Sequence, residues 1–288
     1  MYKFALSVPD AWIELPKWQE ASASARLKRI ELSCNFAVMG ARAGRIARLA
    51  ASLQAAGTME VASIHIPFGQ GWSFASPNDE LRHEAVENTV AFLDATRCLN
   101  CKNYTLHTCL EPIQPQERAA SMAGIRRTIE ELLPKAQEMG LSLNLEDLPR
   151  SCLGNTPEEL AQIIDGFPEE NVGVCMDVNH FCNCAERIPE AIGMFADRIR
   201  TFHISDYDGE DECHWYPGYG LIDWVAVMKA IRRIRQDVLL IFEVSGFLKV
   251  QPRRELHYEH FFKAAERNIF YLENAEELKK RIDEVQIL

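Results

Sequence analysis

The stretch VGVCMDVNHFCN, residues 172–183, opens as an apolar run and closes with Asp177 and His180 three positions apart. Its first seven residues have the nearly unbroken hydrophobicity of a strand covered on both faces, the habit of parallel sheets. A carboxylate and an imidazole at the tip of such a strand are costly to bury singly. They become tolerable where several such groups gather around a cation.

Comparable runs recur on both sides of this one. They are KFALSV (3–8), RIELSC (29–34), VASIHI (61–66), YTLHTC (104–109), LSLNLED (141–147), RTFHIS (200–205) and VLLIFEV (238–244). Between them lie longer segments with helical periodicity, among them AGRIARLAASLQAAG, QERAASMAGIRRTIEELLPKAQEMG and AERIPEAIGMFADRI. The first connection, around WIELPKWQEASASARL, is the least clear. Thr156-Pro157-Glu158-Glu159 reads as an N-cap, a proline at the first helical position and acids in the first turn. Gly57 and Gly140 fall where helices should stop. Strands alternating with helices imply parallel pairing through crossovers. Eight such units favour a closed α/β barrel, a (β/α)8 TIM barrel, over an open sheet. No Pro-, Gly- or Ser-rich linker divides the chain. The expectation is a single domain over residues 1–288 with a C-terminal helical extension at about 274–286 (NAEELKKRIDEV).

A hydrophobic fraction of 47% over 288 residues is ample for a large core. The net charge of −11 argues against a phosphate-backbone partner, so no nucleic acid is expected. No apolar stretch reaches the length of a membrane span and no signal-peptide h-region follows Met1–Asp10, so no membrane partner is expected either. Nine cysteines in no disulfide-framework pattern read as reduced thiols in a cytoplasmic protein. Cys98 and Cys101 have no second CxxC to complete a zinc site and read as ordinary thiols near a helix end. Cys182 and Cys184 stand closer to the residues of interest.

Seven consecutive strands each carry one ionisable group. These are Glu31, His65, His107, Glu146, Asp177, His203 and Glu243, each about one βα unit beyond the last. Each alone has an ordinary reading as a core histidine or a strand-end cap. Glu31 in RIELS could equally face a neighbouring helix. Together they converge on the carboxyl end of a barrel, where active sites sit. Two Glu, one Asp and one or more His form a mixed oxygen and nitrogen set suited to Mn²⁺, Mg²⁺, Co²⁺ or Zn²⁺. The lack of ordered Cys ligands favours an open, catalytic centre over a structural one.

The motifs SIHIP (63–67), LNLED (143–147), MDVNH (176–180), FHISD (202–206), PGYG with IDW (217–224) and FEV (242–244) resemble the xylose isomerase-like TIM-barrel superfamily over nearly the whole chain. That superfamily holds sugar isomerases and epimerases and the metal-dependent AP endonucleases. The resemblance to the sugar-epimerase branch implies one divalent metal, Mn²⁺ foremost, with Glu146, Asp177, His203 and Glu243 as ligands. It gives His180 a substrate contact and makes Glu146 and Glu243 the acid and base of proton transfer beside a carbonyl. The partner it implies is a small sugar or sugar derivative. Barrels of this kind often form a homodimer or homotetramer, and the sequence carries no interface signal.

His65 and His107 are placed to line the pocket, and His214 to bind substrate or a second metal. Trp72, Phe74 and Trp215, in glycine-bearing loops after strands 3 and 7, suit sugar stacking or plain loop packing. The AP-endonuclease branch resembles the chain through the same histidines and acids with three zinc ions. It departs where DGEDECHW sets Asp211 three residues before His214 rather than two. A dehydratase of a polyol or keto acid, or a non-catalytic sugar-binding barrel, would use the same residues. The arginine typical of ketose 3-epimerases a few residues after the strand 7 histidine is not evident.

Overall fold

Eight strands pair in parallel and in chain order, and the last closes on the first. The computed structural model describes residues 2–34, 41–181, 184–244 and 257–286. The strands are β1 (Tyr2–Pro9), β2 (Arg29–Ser33), β3 (Glu60–His65), β4 (Asn103–His107), β5 (Ser142–Glu146), β6 (Val172–Asp177), β7 (Ile199–Ile204) and β8 (Val238–Phe242). Each is followed by a helix: α1 (Pro16–Ser24), α2 (Ala41–Ala55), α3 (Asp79–Thr96), α4 (Arg118–Met139), α5 (Pro157–Ile164), α6 (Ile188–Met194), α7 (Trp224–Ile231) and α8 (Tyr258–Glu273). One more helix, α9 (Ala275–Gln286), forms the C-terminal extension. The expected (β/α)8 TIM barrel is therefore the fold. No helix among the described residues is long and apolar enough to cross a membrane.

Local signals set the boundaries. The Thr156 hydroxyl accepts the Glu159 N–H at 3.2 Å and Pro157 opens α5. Asn78 Oδ1 caps α3 by accepting the Glu80 N–H at 2.8 Å. Gly140 ends α4 at φ +58, a conformation that favours glycine. The unclear first connection contains α1. The segment read as one helix from Ala185 divides into a 3-10 turn, Ala185–Arg187, and the short α6. The last strand stops one residue before Glu243.

Period-two alternation sorts the strand side chains. Leu6, Ile30, Leu32, Ile64, Leu106, Leu145, Met176, Phe202 and Phe242 join the large core between strands and helices. The opposite set points into the barrel, where the apolar filling is a small cluster of Ala5, Leu239 and Ile241 with Ala62 against it. A TIM barrel is ordinarily filled by branched aliphatic layers. Here the rest of the interior is polar: Glu31, Ser63, Thr105, Asn144, Glu146, Asp177, Thr201 and His203 are all buried. A buried polar interior needs internal partners, and those partners define the site.

The long connection from β7 to α7 is organised by Asp206, fully buried. Its carboxylate accepts the N–H groups of Tyr207 (3.0 Å), Gly218 (2.8 Å) and Ile222 (3.2 Å) and the Trp224 indole N–H (2.8 Å). Asp206 and Trp215 also exchange both backbone hydrogen bonds, at 2.8 and 2.9 Å. The FHISD, PGYG and IDW motifs are thus parts of one loop scaffold. It delivers Glu212 and His214 to the barrel mouth.

Candidate metal centre

Glu146 and Asp177 terminate β5 and β6, His203 lies next to the end of β7, and Glu243 follows β8. One ligand atom from each of these four lies within 4.8 Å of all the others. His203 Nδ1 is 3.0 Å from Glu146 Oε1, 3.2 Å from Glu243 Oε2 and 3.8 Å from Asp177 Oδ2. The other ring nitrogen faces Glu31, 3.2 Å from its Oε1. Glu31 also accepts the hydroxyls of Ser7 (3.1 Å), Ser63 (2.8 Å) and Thr105 (3.4 Å). With Glu31 taking the Nε2 proton, the Nδ1 lone pair of a neutral His203 points at the three carboxylates. A second carboxylate behind a ligating histidine is the usual support of a metal site.

Asp177 supplies a further sign of fit. Its Oδ1 accepts the Asn179 N–H at 2.7 Å. Its Oδ2 is buried and has no hydrogen-bond partner. A buried carboxylate oxygen without a hydrogen bond, beside two other acids, is costly unless a cation completes it. Three oxygens and one imidazole nitrogen, aimed at one point, match a divalent metal.

The ionisation of the cluster follows from its crowding. Burial favours a neutral Glu146, but His203 and His107 outweigh it and hold the carboxyl well below its usual value. Glu243 is likewise held low against burial by His203. Burial disfavours a charged His203, yet Cys175, Glu243, Glu31 and Glu146 lift it well above the ordinary imidazole value. Burial raises Asp177 to about 6.

A second group shares Glu146. His65, His107 and Glu146 also bring ligand atoms within 4.8 Å of one another. Both histidines set Nε2 3.3 Å from Glu146 Oε2. The ring nitrogen of His65 opposite this contact, Nδ1, is 2.8 Å from the Ile66 carbonyl. Both ring nitrogens of His65 thus face acceptors, and against burial the hydrogen bond to Glu146 raises its pKa above the ordinary imidazole value.

A cavity of about 360 Å³ opens over both groups, with Glu146 and Glu243 in its lining. His180 reaches it from the turn after β6. Its Nδ1 donates to the Asp147 carbonyl at 2.6 Å, and its Nε2 is 3.5 Å from Asp177 Oδ2 and 3.6 Å from Glu212 Oε1. His214, held at φ +50, lies 3.9 Å from both Glu212 and Glu243. Burial opposes charge on both rings, but Asp177 chiefly in one case and Glu212 in the other lift each to about 9.

The sequence-derived aromatics fare differently. Trp72 is 2% exposed and packs on Phe74 and Phe92, and neither it nor Trp215 is in the cavity lining. The aromatic of that loop in the lining is Phe68, half exposed and stacked on His107 at 4.3 Å. The sequence carries no signal for it, because the turns at Gly69 and Gly71 decide which aromatic of the loop faces the cavity. Arg150 was also missed. Held at φ +53, it binds Glu111 through two nitrogens, the nearer at 2.7 Å, and reaches Asp211 (2.7 Å) and Glu212 (3.0 Å). It comes from the loop after β5, not from the one after β7. Asp147 accepts the Asp177 N–H at 2.7 Å and so fixes the neighbouring strand tip. Cys98 is exposed, whereas Cys101 is buried with its thiol on the Asn103 carbonyl. Cys182 lies outside the described residues.

A family model described as xylose isomerase-like TIM barrel matches residues 21–284. The chain is 26% identical over 142 residues to an uncharacterized protein of Methanocaldococcus jannaschii, covering 46% of this chain and 47% of that one. It is 29% identical over 188 residues to a probable endonuclease 4 of Geobacillus sp., covering 58% of this chain and 61% of that one. These matches thus span about half to three-fifths of the relatives' own lengths. Among solved structures, a D-tagatose 3-epimerase-like protein superposes with a TM-score of 0.78 at 23% identity, covering 96% of this chain and 98% of that one. An L-ribulose 3-epimerase superposes at 0.69 and 21% identity, covering 97% and 98%. At such identities these two likenesses show the fold alone.

Proposed function

The chain belongs to the xylose isomerase-like TIM-barrel family, and on that premise we propose that it is a divalent-metal-dependent isomerase or epimerase of a sugar or sugar derivative. The observation that carries this reading is the cluster of Glu146, Asp177, His203 and Glu243, two of whose carboxylates line the cavity. Glu146, Asp177, His203 and Glu243 would hold the ion, Mn²⁺ foremost with Zn²⁺, Co²⁺ or Mg²⁺ also suited to the donor set, and once bound it would supply positive charge to the carbonyl and hydroxyl oxygens of the sugar. Glu146 and Glu243 take and return the proton on the carbon beside the carbonyl, one acting as base and the other as acid. His180 and His214 donate to substrate hydroxyls, and Phe68 and His107 give the ring an apolar face.

The test is deuterium exchange from solvent into a panel of ketoses and aldoses with added Mn²⁺. Glu146→Gln is expected to fold and to lose exchange, with metal content measured alongside. Full exchange in that variant overturns the assignment.

One observation favours a second reading, a metal-dependent endonuclease: the adjoining His65, His107 and Glu146 group, which matches a centre of more than one ion. The charge of the cleft weighs against it. Among the described residues Arg150 is the one Lys or Arg in the lining, and it is bound to three carboxylates. Metal stoichiometry with an abasic-site DNA cleavage assay separates the two. One ion and no cleavage favours sugar chemistry.

A further inference from the structure

Two thiols in the cleft wall are left unused by the chemistry above. Cys109 follows β4 and Cys152 follows β5. Both are free, and at 1% and 4% exposed they meet solvent through the cavity they line. The Cys109 sulfur accepts the N–H of Leu153, the residue after Cys152, at 3.2 Å. The two loops are joined around them: Thr108 donates to the Leu153 carbonyl at 2.5 Å, Ser151 to Glu111 at 3.3 Å, and Arg150 grips Glu111. Two thiols in one cavity wall, in adjacent loops that hydrogen bonds hold together, are placed to join.

We propose that Cys109 and Cys152 are a reversible oxidation site, a dithiol that a small hydroperoxide entering the cavity converts to a disulfide across the two loops. Cys109, whose sulfur already accepts a backbone N–H, is the attacking thiol. Its sulfur takes the terminal peroxide oxygen, the O–O bond breaks, and the thiol proton leaves with the departing alkoxide as an alcohol. The Cys109 sulfenic acid so formed is attacked by the Cys152 sulfur. The S–O bond breaks, hydroxide leaves with the Cys152 proton as water, and one S–S bond remains. The two thiols have given up two electrons and two protons, and the peroxide has received them. The product ties the wall that carries Glu111 and Arg150, and thereby the approach to Glu212.

The experiment exposes the folded full chain to limiting hydrogen peroxide, quenches it, alkylates in denaturant and maps peptides without reduction. The expected result is one joined peptide pair, Cys109 with Cys152, lighter by two hydrogens, with two alkylatable thiols lost and both regained on adding dithiothreitol. In Cys152→Ser the joined pair is absent and Cys109 is trapped as a sulfenic acid by a dimedone probe. The proposal is overturned if Cys109 and Cys152 both stay alkylatable while exposed Cys98 is oxidised, or if Cys109 joins a different cysteine. Absence of the dimedone adduct in Cys152→Ser overturns it equally. The wild-type measurement needs no variant to fold.

Discussion

Glu31→Gln is expected to weaken metal binding although Glu31 touches no ion in the proposed centre. The carboxylate is completely buried and faces His203 Nε2 at 3.2 Å. It fixes which ring nitrogen keeps a proton and raises the basicity of the other. Losing such an outer partner costs about 10- to 100-fold in metal affinity, or roughly 1.4–2.7 kcal/mol. Glutamine keeps the volume, and the hydroxyls of Ser7, Ser63 and Thr105 can turn to accept from its amide. The fold should therefore survive.

The pH dependence sharpens the prediction. A metal binds His203 only after Nδ1 is free of its proton, so affinity rises with pH until the metal-free ring is neutral. In the wild type that ring holds its proton well above the ordinary histidine range, because Cys175, Glu243, Glu31 and Glu146 outweigh burial. Wild-type affinity should accordingly keep climbing through mildly alkaline pH, by about tenfold per unit for one displaced proton. Removing the Glu31 charge lowers the His203 pKa, so the variant feels proton competition only at lower pH. The deficit is then largest in alkali and narrows toward acid. Calorimetric titration of metal-free protein with Mn²⁺ across a pH series measures it, with circular dichroism as the check on folding. Unchanged affinity in a folded variant, or a deficit that widens as pH falls, refutes the role given to Glu31.

Chelation should lower thermal stability: free Mn²⁺ at a hundred times its dissociation constant adds about 2.7 kcal/mol, or about 5–10 °C in a domain of this size, and identical melting in Mn²⁺ and chelator refutes binding to the native state. Gly220→Ala should destabilise the β7–α7 loop, because a Cβ there would meet the backbone of Tyr207 and the Asp206 carboxylate. Overpacking of this kind costs about 1–3 kcal/mol, read as a lower melting midpoint. Phe68→Ala removes the ring stacked on His107. A loss of about 0.5–1.5 kcal/mol should raise KM for the sugar turned over by roughly 2- to 12-fold with kcat little changed; a fall in kcat instead would place Phe68 in the chemistry.

The site's legibility in the sequence divides along the boundary between strand and loop. In a strand the two-residue period and the one-way crossovers fix where a side chain points. Glu146, Asp177, His203 and Glu243 could therefore be gathered with Glu31, His65 and His107 from their places in apolar runs, the resemblance singled out those four, and the barrel closes them to within 4.8 Å. The same period carried a signal for Glu31: Ile30 and Leu32 face the helices, so the residue between them faces inward. Its irregular pairing, with a register shift against β3 at that residue, did not alter the outcome. Loop residues obey no such period. Phe68 reaches the cavity and Trp72 the core because of how the chain turns between them, at Gly69 (φ +110) and Gly71 (φ +82). Arg150 enters the rim in a left-handed conformation that its neighbours do not announce. What holds it is a set of acids 39 to 62 residues away in sequence. The strands bring together the groups that can hold charge and move protons, and the loops close over them through contacts made only after the barrel forms. Members of one fold family can thus share the first set while differing in the second. On the proposed function, the rim formed by Phe68, Arg150, Glu212 and His214, rather than the cluster beneath it, would be where the choice of sugar is made.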